Sequence, residues 1–546
     1  MIKKNGFTLA ELLGVIVILA IIVLIAFPPI VNEIRKMKGQ LSEATLKLIY
    51  SSAEIYVDNN QNTYPIYDGN NYCIALQTLV NSGELKQPVK DVSTGKTIEL
   101  DKIVKINITN PANIDYSIVD SADCAIINNA PIVSADDSGA NVPMLSDNMI
   151  PIKWNGVEWV KADKRNPTGE NRWYDYDRQE WANVVLITAA ERINYLNKGI
   201  GEAINENDVL AYLVWIPRYK YKLFNVPLNK IAIESIDVVF ETKATAKSEG
   251  VANGDYLTHP AFTFGSKELS GFWAGKFETT GDATTPTIKP NAVALTNQNA
   301  NTQFLTSQKF NNALTYGLSA TNDAHMSKST EWGAITYLSQ SNYGKYGNPT
   351  YTNVTDLEQE IYINHINSDM SGSNLGTITG CAGDTVSAAT LPSLVCPDLN
   401  KYETEPQGVK ASTTGNIYGV YDMSGGSFER VMGAMYNSAT QTIQVSGSGF
   451  APAVIDGVDM SKYIDKYNYG TTEEDADAYI RAKLGDATGE TRVWNDDIPY
   501  MIFDGSSWMV RGGSYKSAEM AGAFAFSSDD GSAMEDSSFR VVLLGE

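Results

Sequence analysis

GNIYGVYDMSGGSFERVMG, residues 415–433, is the stretch on which the fold of the larger part of this 546-residue chain turns. Gly415, Gly419, Gly425 and Gly426 punctuate a short apolar element, a spacing that asks for backbone conformations open to residues without a Cβ. Phe428 lies on that element, and Trp332 and Trp508 in flanking segments read with it as aromatic core anchors. Outward from it, YLVWIPRYKYKLF (212–224), GFWAGKFETTG (271–281) and HMSKSTEWGAITYLSQSNYG (325–344) come before, and RGGSY (511–515) and SFRVVL (538–543) come after. Short apolar runs broken by turns describe a compact, loop-rich α+β domain.

In this order the segments resemble the formylglycine-generating-enzyme-like domain, a variant of the C-type lectin fold, over about residues 205–546. The enzymatic members carry a pair of active-site cysteines shortly after the segment matching RGGS. Here the corresponding stretch, YKSAEMAGAFAFSSDDGSAMEDSSF (515–539), has no cysteine. That removes the thiolate copper ligands and the nucleophile together. The related iron-dependent sulfoxide-synthase branch uses a histidine triad, and His259, His325 and His365 do not form its His-x-x-x-His pair. The expectation is a catalytically silent domain with no catalytic residues.

Non-catalytic relatives of this fold include the variable proteins of diversity-generating retroelements, whose C-terminal loops form a ligand-binding face. The resemblance puts that face at 516–519 and 527–537. Its polar candidates are Lys516, Ser517, Glu519, Ser528, Asp529, Asp530, Glu535 and Asp536, with Trp508, Tyr515 and Phe526 adding aromatic contact area. Any one of these residues fits an ordinary solvated loop equally well. Asp529, Asp530, Glu535 and Asp536 are hard oxygen ligands, so Ca²⁺ is the one cofactor the loops admit. No EF-hand spacing is present, the Glu-Pro-Asn or Gln-Pro-Asp sugar motif is absent, and no cofactor is firmly implied. Arg511 and Arg540 read as framework residues that tie loops through carboxylates and carbonyls, with an anionic ligand as the alternative.

Upstream, IPIKWNGVEWVKAD (150–163) and RWYDYDRQEWANVVLI (172–187) alternate as strands, with turns at Asn155-Gly156 and around Asn166 to Gly169. They define a small β-rich segment over 151–204. Trp154, Trp159, Trp173 and Trp181 are candidates for core packing or for sugar-stacking platforms. Before them, residues 134–150 read as a linker rich in Ala, Ser, Asp, Asn and Pro. Residues 58–133, with polar turns between the runs CIALQTLV and KIVKINIT, read as a small α/β head.

The N-terminal stretch KKNGFTLAELLGVIVILAIIVLIAFPPIVNEI (3–34) joins a short basic leader, a Gly6-Phe7 junction and a long apolar run holding one acidic residue, Glu11. It resembles the class III signal of type IV prepilins, which is cut before the apolar run and not after it as in ordinary secretory signals. The resemblance implies that a prepilin peptidase removes leader 1–6, that Phe7 becomes an N-methylated terminus, and that Glu11 pairs with the Phe7 amine of a neighbouring subunit. A carboxylate inside a membrane-spanning segment needs such a partner. The uncharged run Leu12 to Phe27, extended by Phe7 to Ala10, is close to the length that crosses a bilayer core of about 30 Å. The expected helix covers 7–57, kinked at Pro28-Pro29. An apolar stripe of Ile30, Ile34, Met37, Leu41, Ala44, Leu48 and Ile55 is expected to pack on the head, and the rest of the rod against other subunits.

The formal net charge is −22, and loss of Lys3 and Lys4 with the leader makes it two units more negative. That excludes a nucleic-acid binder working through clustered Lys and Arg. Four cysteines fall into two local pairs, Cys73 with Cys124 and Cys381 with Cys396, expected as disulfides in an extracytoplasmic compartment. A zinc site is the rival, without any Cys-x-x-Cys to support it.

The two resemblances together imply an α+β multidomain minor type IV pilin near a filament tip. It is expected to reside in the membrane before assembly and on the extracellular pilus afterwards, and to display a lectin-like domain for a surface protein or glycan. The alternatives are a pseudopilin of a secretion system, or a membrane-anchored oxidase of the formylglycine-generating type.

Overall fold

The computed structural model describes residues 41–59, 71–92, 94–100, 102–108, 114–119, 137–166, 168–226, 233–347, 359–364, 377–386, 395–437, 440, 442–443, 447–451, 458–469 and 481–545. Gly6, Phe7, Glu11, the Pro28-Pro29 kink, His365 and Cys124 lie outside them. Mixed helices and mainly antiparallel sheets fall into two compact units, residues 1–130 and 131–546.

In the first unit helix Glu43–Asn59 accompanies a three-stranded antiparallel sheet, in the order Asn71–Ala75, Ile103–Asn107, Asp115–Val119. Ser42 starts the helix: its carbonyl accepts from Leu46 N–H at 2.9 Å and its hydroxyl faces Thr45 N–H at 3.4 Å. Glu43 in the first turn complements the helix dipole. Cys73, on the first strand, is disulfide-bonded.

The buried face of this helix corrects the expected stripe. Leu48 and Ile55 are 52% and 50% exposed, and Ala44 is exposed too, while Thr45, Ile49, Ser52, Ala53 and Val57 are buried. Among the described residues of the stripe only Leu41 packs on the head core, and only in part; Ile30, Ile34 and Met37 lie outside the described residues. Small and hydroxylated residues let the helix approach closely and find hydrogen bonds. Val92 N–H donates to Thr45 Oγ1 at 2.8 Å, and Ser52 Oγ donates to Glu84 O at 2.9 Å. Two neighbouring faces of the helix are apolar enough to qualify, and hydropathy favours the bulkier one.

The second unit is built on a seven-stranded antiparallel sheet, ordered His325–Met326, Val541–Leu543, Gly271–Gly275, Val209–Pro217, Asn183–Ile187, Ile150–Trp154, Trp159–Lys161. Three of its strands come from 150–187 and pair, through Val209–Pro217, with the framework strands. The stretch 151–204 is therefore part of the same core as 205–546. A second sheet centres on Phe428–Asn437, which pairs antiparallel with Trp508–Arg511 and parallel with Asp465–Asn468 and Ser537–Phe539. Helix Ser329–Ser339 is buried along its whole length.

Eight tryptophans, Trp159, Trp173, Trp181, Trp215, Trp273, Trp332, Trp494 and Trp508, are sealed in this unit. The sugar-platform reading therefore fails for three of the four upstream tryptophans, and Trp154 is partly buried against Trp159. Phe428 is only half-buried, so it anchors less than expected. Three of the four glycines singled out take the backbone conformation their spacing asks for, and Gly419 does not have positive φ. Gly415, Gly425 and Gly426 have φ of 67°, 72° and 71°. A Cβ on Gly425 would meet Asn364 O at 2.6 Å.

Candidate functional site

The expected ligand face hangs on the hairpin of Trp508–Arg511 and Phe526–Asp529 and on the loops that leave it. The turn at Gly426 to Phe428 brings those loops together: Tyr515 N–H donates to Gly426 O and Phe428 N–H donates to Asp536 O, both at 2.7 Å. Lys516 then reaches across, with Nζ 3.1 Å from Glu535 Oε1 and 3.2 Å from Asp536 Oδ2, beside the Tyr515 ring. Burial works against its charge, but hydrogen bonds to these two carboxylates outweigh it and hold the ammonium above the ordinary lysine range.

Not every candidate belongs to this surface. Trp508 is fully buried and stacks on Phe450 with ring centroids 5.5 Å apart. Phe526 is buried beneath Arg511. Neither offers contact area: the register puts them on opposite faces of the hairpin, and both faces are covered. Asp529 is buried and gripped by Arg430, whose Nε lies 3.0 Å from Oδ2. Ser517 turns inward to accept from Ser514 N–H at 3.0 Å, and Ser528 is half-buried. Tyr515 and Asp536 are nearly closed off, leaving Lys516, Glu519, Asp530 and Glu535 outward. Hydrogen bonds from Ser532 hold the Asp530 carboxyl below the usual range.

Two exposed residues complete the surface and were not read from sequence. Ile498 N–H donates to Met520 O at 3.0 Å and Tyr500 N–H to Phe526 O at 2.9 Å, so the 498–500 segment lies along the loop. Tyr500 is 53% exposed and Met520 47%. Tyr500 follows a proline outside every framework segment, and only its pairing across the hairpin places it here.

Of the four oxygen donors considered for calcium, Asp529 faces Arg430 while Glu535 and Asp536 face Lys516. Asp530 has no ion pair but lies within the field of Arg430, so the loop as arranged does not converge on a cation. Among the described residues no three His, Cys, Asp or Glu side chains are grouped to hold a metal. Arg511 and Arg540 are both fully buried. Arg511 donates to the Asp486 and Ala487 carbonyls at 2.8 and 2.9 Å, a framework role with no room for an anionic ligand.

Cys381 and Cys396 form a disulfide whose sulfurs pack with Ile363, Ile378 and Ala521 directly behind the 515–521 loop. Reducing it is expected to speed amide exchange in 515–521 while the strand Val209–Pro217 stays protected. Equal exchange in the oxidised and reduced protein would dissociate the bridge from the loop.

The prokaryotic N-terminal methylation motif matches residues 1–27. The chain has a type IV prepilin-like N-terminus. That makes it pilin- or pseudopilin-like, and implies cleavage by a prepilin peptidase and assembly with other pilin subunits. No curated protein matches the chain. Among the described residues no helix is long and apolar enough to cross a membrane, and the apolar run of the prepilin-like segment lies outside them.

Proposed function

We propose that this chain is a minor type IV pilin, placed at or near a filament tip, and that residues 131–546 form a non-catalytic unit of the C-type-lectin kind that binds a surface protein or glycan. The observation that carries the reading is the prepilin-like N-terminus joined to a second unit several times larger than the head. A unit of that size is hard to repeat along a tightly packed filament and easy to place once at its end. The order of the framework segments supports the lectin-like assignment, and the absence of cysteine from 515–539 supports the lack of oxidase activity. The exposed stripe Ala44, Leu48 and Ile55 supplies an apolar helix face for neighbouring subunits. The ligand face is Lys516, Glu519, Met520, Glu535 and Tyr500, a polar surface with one large aromatic anchor.

Mass spectrometry of sheared filaments tests the placement: the expected result is a chain that begins at Phe7 and is scarce relative to the major subunit. Uniform abundance along the filament would end the tip assignment, and retention in membranes would favour a secretion pseudopilin. Filaments carrying Tyr500→Ala are expected to bind target cells at least about tenfold more weakly at unchanged filament yield, as for an interface anchor. Undiminished binding would move the ligand site elsewhere.

A further inference from the structure

In the head, a groove of about 210 Å³ runs between helix Glu43–Asn59 and the three-stranded sheet. The sheet register builds one wall. Tyr72 lies opposite Ile106 and Ile106 opposite Tyr116, so the three side chains form a row across all three strands on the face that lines the groove. Ile108 and Ile114, each two residues along from a member of that row, extend it along the strands, and Ile114 is 39% exposed. Tyr72 and Ile106 are buried, as is Val57, which closes the groove from the helix. The wall is apolar and aromatic, with room for a long side chain.

The helix side is acidic. Glu54 and Asp58 are exposed and four residues apart, so they sit one above the other beside the groove. Burial raises the hydroxyls of Tyr72 and Tyr116 above their ordinary range, and the carboxylates add to it: Asp58 acts on Tyr72, and Glu54 with Asp58 on Tyr116. Both acids therefore lie within reach of the rings. The lining combines two carboxylates and two aromatic rings with no basic residue. Residues 60–70, 109–113 and 120–136, which adjoin the lining in sequence, contain no lysine or arginine either. The chain around the groove thus supplies no cation of its own.

We propose that the groove takes the side chain of a lysine from a neighbouring pilin subunit. The aliphatic stem lies over Ile106, Ile108 and Ile114, and the ammonium reaches Glu54 and Asp58 beside the rings of Tyr72 and Tyr116. Two carboxylates a helical turn apart suit an ammonium on a flexible stem, whose three donors turn freely. The planar fork of arginine matches instead the two oxygens of a single carboxylate. Ile55, three residues before Asp58 and 50% exposed, belongs to the stripe assigned above to neighbouring subunits, so a subunit seated on that stripe stands next to the groove. The inference rests on that assembly and adds a charge pairing that favours one neighbour and register over others.

The test is zero-length carbodiimide coupling in sheared filaments, followed by peptide mapping. The expected result is a branched peptide that joins Glu54 or Asp58 to a lysine of another pilin subunit. Ile114→Trp, which fills the apolar end of the groove and keeps both carboxylates, should abolish that peptide, while coupling of the two acids to added glycine ethyl ester in the purified full chain stays unchanged. Filaments that contain the chain but yield no such peptide, or yield one only to a lysine of this chain's own sequence, overturn the proposal and leave the pilin assignment standing. A yield that Ile114→Trp does not alter overturns it too, because the contact is then at the rim and not in the groove. Absence of the chain from filaments removes the assembly itself, and the proposal with it.

Discussion

Replacing Arg540 with leucine is expected to destabilise the second unit by about 3–5 kcal/mol, the range for removing one partner of a buried ion pair. The guanidinium and Glu429 are both fully buried, and they meet as a fork: Nε donates to Oε2 at 2.9 Å and Nη2 to Oε1. The same group donates to Gly275 O at 2.7 Å and Tyr421 O at 2.8 Å. One side chain thus ties the C-terminal strand to the seven-stranded sheet, to the glycine-rich segment and to the central strand of the second sheet. Leucine leaves the buried Glu429 carboxyl without its cation and two carbonyls without a donor, and each effect is costly by itself. Glu429→Leu added to Arg540→Leu should recover part of the loss, because the stranded carboxyl goes with it. Arg540→Lys should fall between, keeping charge without the fork. Urea denaturation of the full chain gives the numbers. A loss below about 1 kcal/mol in Arg540→Leu would mean that the cluster relaxes around the gap and that this arginine is not the tie the geometry describes.

The role of Arg540 was legible in the sequence because it sits inside a framework segment whose glycines, aromatics and arginines do backbone work. For the same reason Gly415, Gly425 and Gly426 have the positive φ their spacing asks for. What was not legible depends on which side of an element faces inward. Trp508 and Phe526 flank the ligand loop in sequence and lie on opposite faces of the hairpin, yet both are sealed because packing covers both faces. Thr45 and Ser52 sit on the packed face of the head helix because hydroxyls can satisfy neighbouring backbone groups, a benefit hydropathy does not register. The strands of 150–187 were recognisable by alternation. Their place beside Val209–Pro217, in a sheet that the end of the chain also enters, is a long-range pairing that periodicity does not encode. Arg430 and Tyr500 are the corresponding omissions at the site, the first holding Asp529 away from any ligand and the second supplying exposed aromatic area.

The second large effect is a dependence on pH centred on Glu490. Its carboxyl is almost wholly buried and faces only neutral donors: Tyr337 Oη at 2.8 Å, Tyr221 Oη at 3.1 Å and Gly485 N–H at 2.7 Å. Burial, reinforced by neighbouring Asp486, pushes it up to about 7 against the hydrogen bonds that favour the charged form. In the folded state the group therefore holds a proton that the unfolded chain has already released. Its contribution to stability is complete at acid pH, declines as pH rises through the interval from the ordinary glutamate range to about 7, and is gone above it. Integrated over a shift of that size, the loss is about 3 kcal/mol. His259 lies beside the same loop, where a Cβ on Gly485 would come within 3.1 Å of Nε2, and it has the opposite sign. Burial pushes it down to about 3, so it opposes folding increasingly as pH falls below the ordinary histidine range. The two trends overlap in mildly acid solution and partly cancel there, so the raw stability curve is flat-topped and hides both. The difference between variants separates them. Glu490→Gln keeps an acceptor for the two tyrosines and removes the ionisation, so relative to the unaltered protein it should gain about 3 kcal/mol on going from pH 4 to pH 8. Urea denaturation of both proteins across that range measures the difference directly. A difference that does not vary with pH would mean that Glu490 stays ionised in the fold, its charge accommodated by the tyrosine hydroxyls despite the absence of a cation.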